Sequence, residues 1–385
     1  MKIVITSNYK IGNETGASFV TDLLANKLSK RHEVLYLCLG EKYRLVKKSK
    51  NFSILNIPTF TINGIDLPLI TPMVVLSASN ELERFNPDIV HTQNSILLSK
   101  LAQIWANKNK VPVVTTFHHI PTQALEHLLP QFKKSYLTKI VQDFYTQTSL
   151  KGFLAKCDTV ISLNKFQYQA IRKVDKKIKL VTINNGLDLR FLWKIKSRQF
   201  NLNNDINFVF LGSYNERKNQ SYLIDAFKKL PNNYKFFCHG KFETGGNYLK
   251  KLNKKIELTE IKNVYLLDYI NLDKIYKVFK KSHFFISASK KEVQSLSIIQ
   301  ALASGLPVIG LENETTLELI NKDNGLVCPK NITPNKFAVH ITNFIKNIDY
   351  RSLAINARKS SKRFKIQDVV LKIEKMYKST INSNG

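Results

Sequence analysis

Short apolar runs alternate with longer amphipathic stretches along most of the chain. Runs of this length, bounded by turn residues, are typical of strands buried on both faces of a parallel sheet, and apolar residues at i, i+3 and i+4 are typical of helices that cover such a sheet. The pattern therefore predicts an α/β protein made of doubly wound parallel sheets. Strands are predicted at 2–6, 33–39, 53–57, 88–91, 111–117, 159–163 and 179–183, and a second set begins at 207–213.

The stretch from 284 to 309, FFISASKKEVQSLSIIQALASGLPVI, has the most informative pattern. FFIS predicts a buried strand, and the polar loop after it leads to Ser295, which we expect to be the N-cap of a core-facing helix. Gly305 and Pro307 end that helix. The loop lies at the carboxyl edge of the sheet, where the N–H groups of a helix N-terminus favour a phosphate group.

Two polar side chains flank this predicted anion site. Glu292 lies in the loop ahead of the cap, and Gln300 lies eight positions later inside the helix. A carboxylate accepts hydrogen bonds, and an amide both accepts and donates them. The two side chains therefore suit sugar hydroxyls beside a bound diphosphate.

The same segment resembles the signature of the GT-B glycosyltransferases of family four (glycosyl transferases group 1), which are retaining enzymes that use nucleotide sugars. Glu292 matches the first of the family's two glutamates, and residues 301–309 match the run of small residues, Gly, Pro and Val that follows. Gln300 stands at the second glutamate, and Val293 and Ser295 stand at the two glycines. The resemblance implies that Glu292 contacts the donor sugar and Gln300 the ribose.

A second segment resembles the family's diphosphate-binding loop, Gly-Arg-Leu followed three residues later by Lys. Gly212 and Lys218 match it, whereas Ser213 stands where the arginine is expected. In the family, the arginine and the lysine clasp the diphosphate. The resemblance therefore implies that Lys218 binds the diphosphate, and it makes Arg217 the candidate to replace the arginine.

Two histidines, His118 and His119, leave the carboxyl end of the strand predicted at 111–117. A histidine beside a sugar-phosphate site can hydrogen-bond a hydroxyl or stabilise developing charge without a metal. His118 resembles the family's first-domain histidine, which lies over the donor sugar, and His119 is either a second contact or a surface residue. In the family, the loop that here carries Gly16 faces the acceptor and the sugar diphosphate; a plain turn is the alternative.

The family has two Rossmann-like doubly wound domains that face each other across a cleft. Residues 183–188 resemble the element that closes the first domain, and Gly186 is expected to supply a positive φ there. The resemblance predicts four parts, namely an acceptor-side domain over 1–187, a linker over 188–204, a nucleotide-sugar-binding domain over 205–364, and a helix at about 365–380 that packs back on the first domain.

The charge balance is strongly basic, with 59 lysines and arginines against 29 aspartates and glutamates and a formal net charge of +30. Three explanations compete: a Lys- and Asn-rich coding bias, affinity for an anionic membrane surface, and affinity for nucleic acid. The lysines occur in both halves and no nucleic-acid-binding motif is present. No specific nucleic-acid partner is therefore expected, while coding bias and an anionic membrane surface stay open.

The stretch 128–154 has a helical pattern with a wide apolar face and lysines beside it. Such a face suits an interfacial helix on a membrane, and it equally suits a helix that caps the first domain. Both interpretations stay open. The residues that define the face are Leu128, Phe132, Tyr136, Ile140 and Phe144.

The sequence lacks the features of a secreted or membrane-spanning chain. No apolar run reaches about 18 residues, and the N-terminus begins like a strand rather than a signal peptide. Cys38, Cys157, Cys238 and Cys328 lack metal-ligand spacing and are expected to be reduced core residues. We expect a cytoplasmic protein, either free or attached peripherally to the inner face of the plasma membrane.

The resemblance implies a hexosyltransferase-like enzyme whose donor is a UDP- or GDP-linked sugar. No metal and no cofactor are expected, because protein cations and a helix N-terminus can neutralise the leaving diphosphate and no Asp-x-Asp pair lies at a credible site. The expected catalytic residues are His118 and Glu292, and the expected donor-binding residues are Gly16, Gly212, Arg217, Lys218, Gln294, Ser295, Leu296 and Gln300.

The acceptor is expected to be a lipid or lipid-linked glycan, because residues 292–296 are similar to the Glu-Thr-Gln-Gly-Leu loop of bacterial glycolipid synthases. A soluble small molecule or polysaccharide is the alternative acceptor. A rival function is a non-catalytic GT-B subunit that binds a partner or a nucleotide sugar without turnover. Ser213 and Gln300, which depart from the family pattern, favour that rival.

Overall fold

The chain folds into two compact units. The computed structural model describes residues 1–13, 15–62, 65–118, 146–196, 198–241 and 246–383. Unit 1 comprises Met1–Leu187 together with Ile366–Gly385, and unit 2 comprises Asp188–Lys365. The C-terminal segment therefore belongs to the same unit as the N-terminus.

Unit 1 is built on a mostly parallel sheet. Its strands are β1 (Lys2–Lys10), β2 (Glu33–Gly40), β3 (Arg44–Ser49), β4 (Phe52–Ile62), β5 (Ile65–Pro68), β6 (Ile89–Gln93), β7 (Val113–Thr116), β8 (Thr159–Ser162) and β9 (Leu180–Thr182). In the described residues they form one sheet in the order β3-β4-β2-β1-β6-β7-β8-β9, with β5 paired to β4. Only the pairs of β4 with β3 and with β5 are antiparallel there.

The helices of unit 1 connect successive strands. They are α1 (Gly16–Leu28), α2 (Pro72–Phe85), α3 (Leu97–Lys108), a π-helical turn (Thr146–Leu150), α4 (Lys151–Leu154) and α5 (Lys165–Val174). Thr15 caps α1 and Thr71 caps α2 through side-chain oxygens that accept from Ser18 N and Val74 N respectively. Such caps satisfy backbone N–H groups that have no partner within the helix.

Unit 2 repeats the doubly wound plan. Its strands are β10 (Ile206–Leu211), β11 (Tyr234–Gly240), β12 (Val264–Asp268), β13 (Phe284–Ser287), β14 (Val308–Leu311) and β15 (Gly325–Cys328). They form a parallel sheet in the order β12-β11-β10-β13-β14-β15. This order reverses between β10 and β13, the point at which ligands bind in open α/β sheets.

The helices of unit 2 cover both faces of this sheet, as parallel strands buried on both sides require. In chain order they are α6 (Arg190–Trp193), α7 (Gln220–Phe227), α8 (Asn247–Thr259), α9 (Leu272–Lys281), α10 (Leu296–Ala303), α11 (Glu314–Leu319), α12 (Pro334–Lys346), α13 (Tyr350–Ser361) and a 3₁₀ turn (Lys362–Phe364). The last helix of the chain, α14 (Ile366–Asn382), belongs to unit 1.

The core of unit 1 shows why α14 lies there. Side chains of β1 alternate between the two faces of the sheet, as strand geometry requires. Ile3 and Ile5 join a cluster that includes Val369 and Tyr377 of α14, whereas Val4 joins a second cluster on the opposite face. The apolar side of α14 therefore covers one face of the N-terminal sheet.

The linker predicted over 188–204 is not an open connection. Leu189, Leu192 and Ile195 are buried. The guanidinium of Arg198 donates to the carbonyl of Phe279, and Phe200 stacks on Tyr350 at 4.5 Å between ring centroids. The segment therefore packs onto unit 2, because its widely spaced apolar residues have a core to join.

The predicted positive φ at Gly186 is wrong, since the positive-φ glycines among the described residues are Gly12, Gly246 and Gly305. Gly186 is instead required for close packing. A Cβ atom there would lie 2.6 Å from Ile366 Cδ1 and 2.9 Å from Ile366 Cα. The absence of a side chain lets the start of α14 approach this turn.

Gly186→Ala is expected to lower the free energy of unfolding by about 1–3 kcal/mol, the range typical of overpacking a core. Gly152→Ala is the matched control, because no atom lies within 4 Å of a Cβ at that helical position. The control should be neutral or stabilising by up to about 1 kcal/mol. Thermal melting of the two variants and the wild type measures the difference; equal melting temperatures for all three would refute the close-packing explanation.

Two sequence predictions fall on residues that the structure does not describe. His119 lies outside the described residues, and so does most of the apolar face predicted over 128–154, of which only the end from Thr146 is described. Their proposed roles stay predictions. Among the helices that are described, none combines the length and the apolar content needed to cross a bilayer.

Candidate functional site

The candidate site of unit 2 lies where the order of its strands reverses. β10 pairs in parallel with β13, with Phe208 opposite Phe284 and Val209 opposite Phe285. The carboxyl ends of these two strands therefore lie side by side. Each is followed by a loop that carries residues singled out from the sequence: Gly212 to Lys218 after β10, and Glu292 after β13.

Backbone and side-chain hydrogen bonds join the two loops. The amide of Lys290 donates to the carbonyl of Arg217 at 2.8 Å, and the side-chain amide of Asn219 donates to the carbonyl of Ala288 at 3.2 Å. The guanidinium of Arg217 also donates to the carbonyl of Lys291 at 3.1 Å. These bonds fix the position of the Arg217–Lys218 pair against the loop after β13.

Two cations converge on one carboxylate in these loops. The ammonium of Lys218 bonds to Oε1 of Glu292, and Nη1 of Arg217 lies 3.4 Å from Oε2 of the same carboxylate. The side chains of Lys218 and Glu292 are only 12% and 10% exposed, whereas that of Arg217 is 40% exposed. The neighbouring residues Arg217 and Lys218 therefore point the same way.

The charge state of Glu292 follows from these neighbours. Burial alone would raise the pKa of this carboxyl group, but the charges of Lys218 and Arg217 and hydrogen bonds from Lys218 and Ser289 act against it, and the pKa is lowered. Glu292 is therefore a carboxylate at neutral pH. The loop holds one fixed negative charge beside two positive charges.

Gly212 and Ser213 set the shape of the loop after β10. A Cβ atom at Gly212 would lie 3.1 Å from the Phe210 ring, so a side chain there would crowd that ring, and it would touch Cε of Lys218 at 3.4 Å. The carbonyl of Ser213 accepts from Nε2 of Gln220, a fully buried residue that begins α7. Ser213, at the position of the family's arginine, thus anchors the loop through its backbone.

The helix α10 begins where the sequence predicts. Ser295 is its N-cap residue, but its side chain makes no capping hydrogen bond and instead lies 3.1 Å from the hydroxyl of Ser297. Gln294 precedes the cap, Leu296 begins the helix, and Gln300 is 8% exposed on its next turn. Helix geometry leaves the N–H groups of the first turn without partners inside the helix, which favours an anion there.

In unit 1, His118 follows the carboxyl end of β7. Its backbone N–H donates to Oδ1 of Asn94 at 2.8 Å, and Nε2 of its ring lies 2.6 Å from Oε1 of Gln93. Asn94 has a positive φ of 65°. The ring lines a cavity inside unit 1, whose polar lining is formed by Thr21, Gln93, Thr116, His118, Asn184 and Asn185.

Gly16 is the first residue of α1 and is exposed. The preceding loop is held by Asp22, whose carboxylate accepts from Gly12 N at 2.9 Å. The structure thus brings Arg217, Lys218 and Glu292 into contact within unit 2, whereas His118 and Gly16 belong to unit 1. The roles assigned to these residues stay predictions.

Three residues that contact predicted site residues were not identified from the sequence: Gln93, Asn94 and Ser289. Gln93 and Asn94 hold His118, and Ser289 bonds to Glu292. All three follow or end a strand at the carboxyl edge of its sheet. Their polar side chains at the end of an apolar strand could have identified them, because the strand itself does not require polar residues there.

Two family profiles match consecutive parts of the chain. The profile "Glycosyltransferase Family 4" matches residues 15–191, and "Glycosyl transferases group 1" matches residues 193–360. Together the two matches span most of the chain. They meet within a few residues of the division between the two units at Leu187 and Asp188.

Curated relatives include two proteins named alpha-monoglucosyldiacylglycerol synthase. The one from Streptococcus pneumoniae is 27% identical over 256 residues, which are 62% of this chain and 55% of that protein. The one from Acholeplasma laidlawii is 22% identical over 351 residues, which are 86% of this chain and 83% of that protein. The match to the pneumococcal relative thus spans about half of its length.

Solved structures share the fold over nearly the full chain. Sucrose-phosphate synthase from Thermosynechococcus elongatus superimposes with a TM-score of 0.77 at 16% identity, covering 99% of both chains. HepE from Anabaena in complex with UDP gives a TM-score of 0.76 at 18% identity, covering 98% of this chain and 100% of that chain. The predicted α/β class with two Rossmann-like domains is confirmed. The two family profiles, which together match residues 15–191 and 193–360, show that the chain belongs to the GT-B glycosyltransferases of family four.

Proposed function

We propose that the protein transfers a sugar from a UDP- or GDP-linked donor to an acceptor with retention of the anomeric configuration. The convergence of Arg217 and Lys218 on Glu292, at the switch point of the unit 2 sheet, is the observation that carries the proposal. Two cations near a helix N-terminus suit a diphosphate, because charge-assisted hydrogen bonds to phosphate oxygens are strong. Arg217 takes the role of the arginine that Ser213 replaces.

The ion pairs imply an exchange of partners when donor binds. The donor's diphosphate competes with the Glu292 carboxylate for Lys218 and Arg217, since both are anions. Once displaced, Glu292 accepts hydrogen bonds from sugar hydroxyls, while the cations neutralise the leaving diphosphate. His118 is assigned to the donor sugar by its family resemblance, and no metal or cofactor takes part in this proposal.

Release of nucleotide from a panel of UDP- and GDP-linked sugars tests the proposal. The wild-type protein is expected to release UDP or GDP slowly by hydrolysis and faster when a suitable acceptor is added. A complete lack of release from every donor, with and without acceptor, would contradict it. That result would favour the non-catalytic subunit, which the departures at Ser213 and Gln300 also fit.

For the acceptor, we propose a lipid or a lipid-linked glycan. Two observations support this choice. The loop 292–296 is similar to that of bacterial glycolipid synthases, and two relatives carry the name of a glucosyldiacylglycerol synthase. The donor assay tests this choice when diacylglycerol or a glycosyl diacylglycerol is compared with a soluble sugar as the acceptor. Faster nucleotide release with the lipid supports the proposal, and faster release with the soluble sugar contradicts it.

A lipid acceptor implies contact with a membrane, and we place this contact on unit 1. Met73 and Leu76 of α2 are 78% and 64% exposed, although Leu82 of the same helix is buried. The edge strand β3 of the same unit carries exposed basic side chains. Apolar side chains that enter the interface, together with cations, favour an anionic bilayer surface. The protein would then work at the inner face of the plasma membrane.

The double variant Met73→Ser and Leu76→Ser is expected to weaken binding to anionic vesicles by about 30- to 1,000-fold, because each lost side chain removes roughly 1–2 kcal/mol of apolar burial. Leu258→Ser is the matched control, since Leu258 is 73% exposed on unit 2. Sedimentation with phosphatidylglycerol vesicles measures the binding. Equal partition of both variants and the wild type would refute the contact on α2.

A further inference from the structure

A buried chain of hydrogen bonds connects the C-terminal helix of unit 1 to His118. The hydroxyl of Tyr377 in α14 lies 2.6 Å from Nδ1 of His91, and Nε2 of His91 lies 3.3 Å from Nε2 of Gln93. Oε1 of Gln93 lies 2.6 Å from Nε2 of His118. Tyr377 and His91 are fully buried and Gln93 is 4% exposed, so no water competes along most of this chain.

The side-chain amide of Gln93 fixes which group donates and which accepts in each of these hydrogen bonds. The Gln93 oxygen can only accept, so Nε2 of His118 must carry a proton. The Gln93 nitrogen can only donate, so Nε2 of His91 carries the lone pair, which also accepts from the Thr116 hydroxyl at 2.7 Å. The proton of His91 is therefore on Nδ1 and is donated to Tyr377.

His91 keeps a single proton under ordinary conditions. Its burial lowers its pKa to about 3, because the charged imidazolium would lose its hydration. A neutral imidazole has one donor and one acceptor, and the two roles exchange only together. Whichever partner fixes one nitrogen of His91 therefore fixes the other as well.

We propose that Tyr377, His91 and Gln93 are positioning residues that fix the ring orientation and the tautomer of His118. The proposal rests on the proposed function only for the contact of His118 with the donor sugar. With the proton on Nε2 and turned inward, the lone pair of the neutral ring is on Nδ1. A sugar hydroxyl that contacts Nδ1 must then donate the hydrogen bond. The hydrogen-bond chain therefore determines which of the two groups is the donor.

The backbone supports the same position. Asn94, the residue after β6, accepts from the His118 N–H, while Gln93, the last residue of β6, holds the ring. Two successive residues thus fix the backbone and the side chain of one histidine. This arrangement also gives α14 a role at the site, although its own residues lie three hydrogen bonds away from His118.

Tyr377→Phe is the decisive variant, because it removes the acceptor for the His91 proton and keeps the ring that packs in the core. A buried N–H without a partner is unfavourable, so His91 should move its proton to Nε2 and donate toward Thr116 and Gln93. The Gln93 amide then turns over and donates to His118, which must carry its proton on Nδ1. We expect the tautomer ratio of His118 to shift by on the order of tenfold or more.

Nitrogen NMR of the full-length protein, labelled with ¹⁵N-histidine and held near pH 8 where free imidazoles are neutral, reads this ratio directly. The resonances of His118 are identified by their loss in His118→Gln. In the wild type we expect the proton on Nε2 of His118, and in Tyr377→Phe on Nδ1. Gln93→Met breaks the chain of hydrogen bonds. Adding Tyr377→Phe to Gln93→Met should therefore leave the His118 signal unchanged.

A wild-type His118 with its proton on Nδ1 would overturn the proposal, and this result needs no variant to fold. So would an unchanged His118 tautomer in a Tyr377→Phe protein that melts like the wild type. Turnover separates the two proposals. If the protein shows the expected tautomers but uses no donor, the proposal for the hydrogen-bond chain stands and the proposed transferase activity is refuted. In an active enzyme, Tyr377→Phe should lower kcat about tenfold and leave the KM for donor nearly unchanged.

Discussion

Lys218→Met is expected to lower kcat/KM for a nucleotide-sugar donor by about 10²- to 10³-fold, the loss typical of removing one group that stabilises charge at a reaction centre. The lysine is nearly buried, and its ammonium contacts Glu292 in the loop that precedes α10. An ammonium there forms charge-assisted hydrogen bonds to phosphate oxygens, which methionine cannot replace although it fills a similar volume. Steady-state donor hydrolysis measures the loss.

The variant also leaves Glu292 with Arg217, at 3.4 Å, as its remaining cation among the ion pairs described for it. Removing one member of a buried ion pair destabilises a protein, so a loss of activity could come from unfolding. The double variant Lys218→Met and Glu292→Gln removes both charges and should melt like the wild type while remaining inactive. Lys251→Met is the matched control, since that lysine pairs with Glu216 on the surface and should be fully active.

Glu292→Gln is expected to lower turnover without weakening the binding of nucleotide. Turnover should fall by at least about 10²-fold, because the amide is a weaker acceptor for the sugar hydroxyls that strengthen in the transition state. The affinity for UDP or GDP should stay equal or rise, because the carboxylate no longer competes with the diphosphate for Lys218. The pKa of Glu292 is lowered, so its carboxylate is ionised at neutral pH and competes with the diphosphate there.

Nucleotide titrations and donor hydrolysis on the same preparation separate the two effects, with Glu216→Gln as the control for a lost carboxylate on the surface. A Glu292→Gln protein that binds nucleotide more weakly, in step with its loss of turnover, would count against the exchange of partners. That outcome would mean that the carboxylate only holds Lys218 and Arg217 in place.

Much of the fold could be predicted because most strands are buried on both faces. Such strands are continuous apolar runs, and β2, β6, β10 and β13 were predicted within a few residues. β3 was not predicted, because RLVKKS is mostly exposed and basic and has no apolar period. Its place is set by antiparallel pairing with β4, which is a tertiary contact.

The segment 188–204 shows a second limit of the sequence pattern. Its Asn-rich and basic composition predicts a linker, yet Leu189, Leu192 and Ile195 are buried and Phe200 stacks on Tyr350. A few apolar residues among many polar ones do not show whether a core is near enough to receive them. At Gly186 the sequence indicated the need for glycine but not its reason, because the close approach of Ile366 involves a helix distant in the chain.

In the candidate site, Lys218 and Glu292 could be identified by resemblance, but their contact could not. They are 74 residues apart and meet because β10 pairs with β13. The direction of Arg217 depends on the bond from the Lys290 amide to its carbonyl, which fixes the loop. Gln93 was missed for a related reason, since its contact with His118 is apparent only once β6 and β7 lie side by side.

Isothermal titration calorimetry of UDP and GDP into the full-length protein tests most directly whether Arg217 and Lys218 form a diphosphate site. We expect the wild type and Lys251→Met to bind one of the two nucleotides equally well, and Lys218→Met to bind it at least about tenfold more weakly, as the loss of one charge-assisted hydrogen bond predicts. Equal affinity of all three proteins, or no binding of either nucleotide by the wild type, would contradict the assignment of this site.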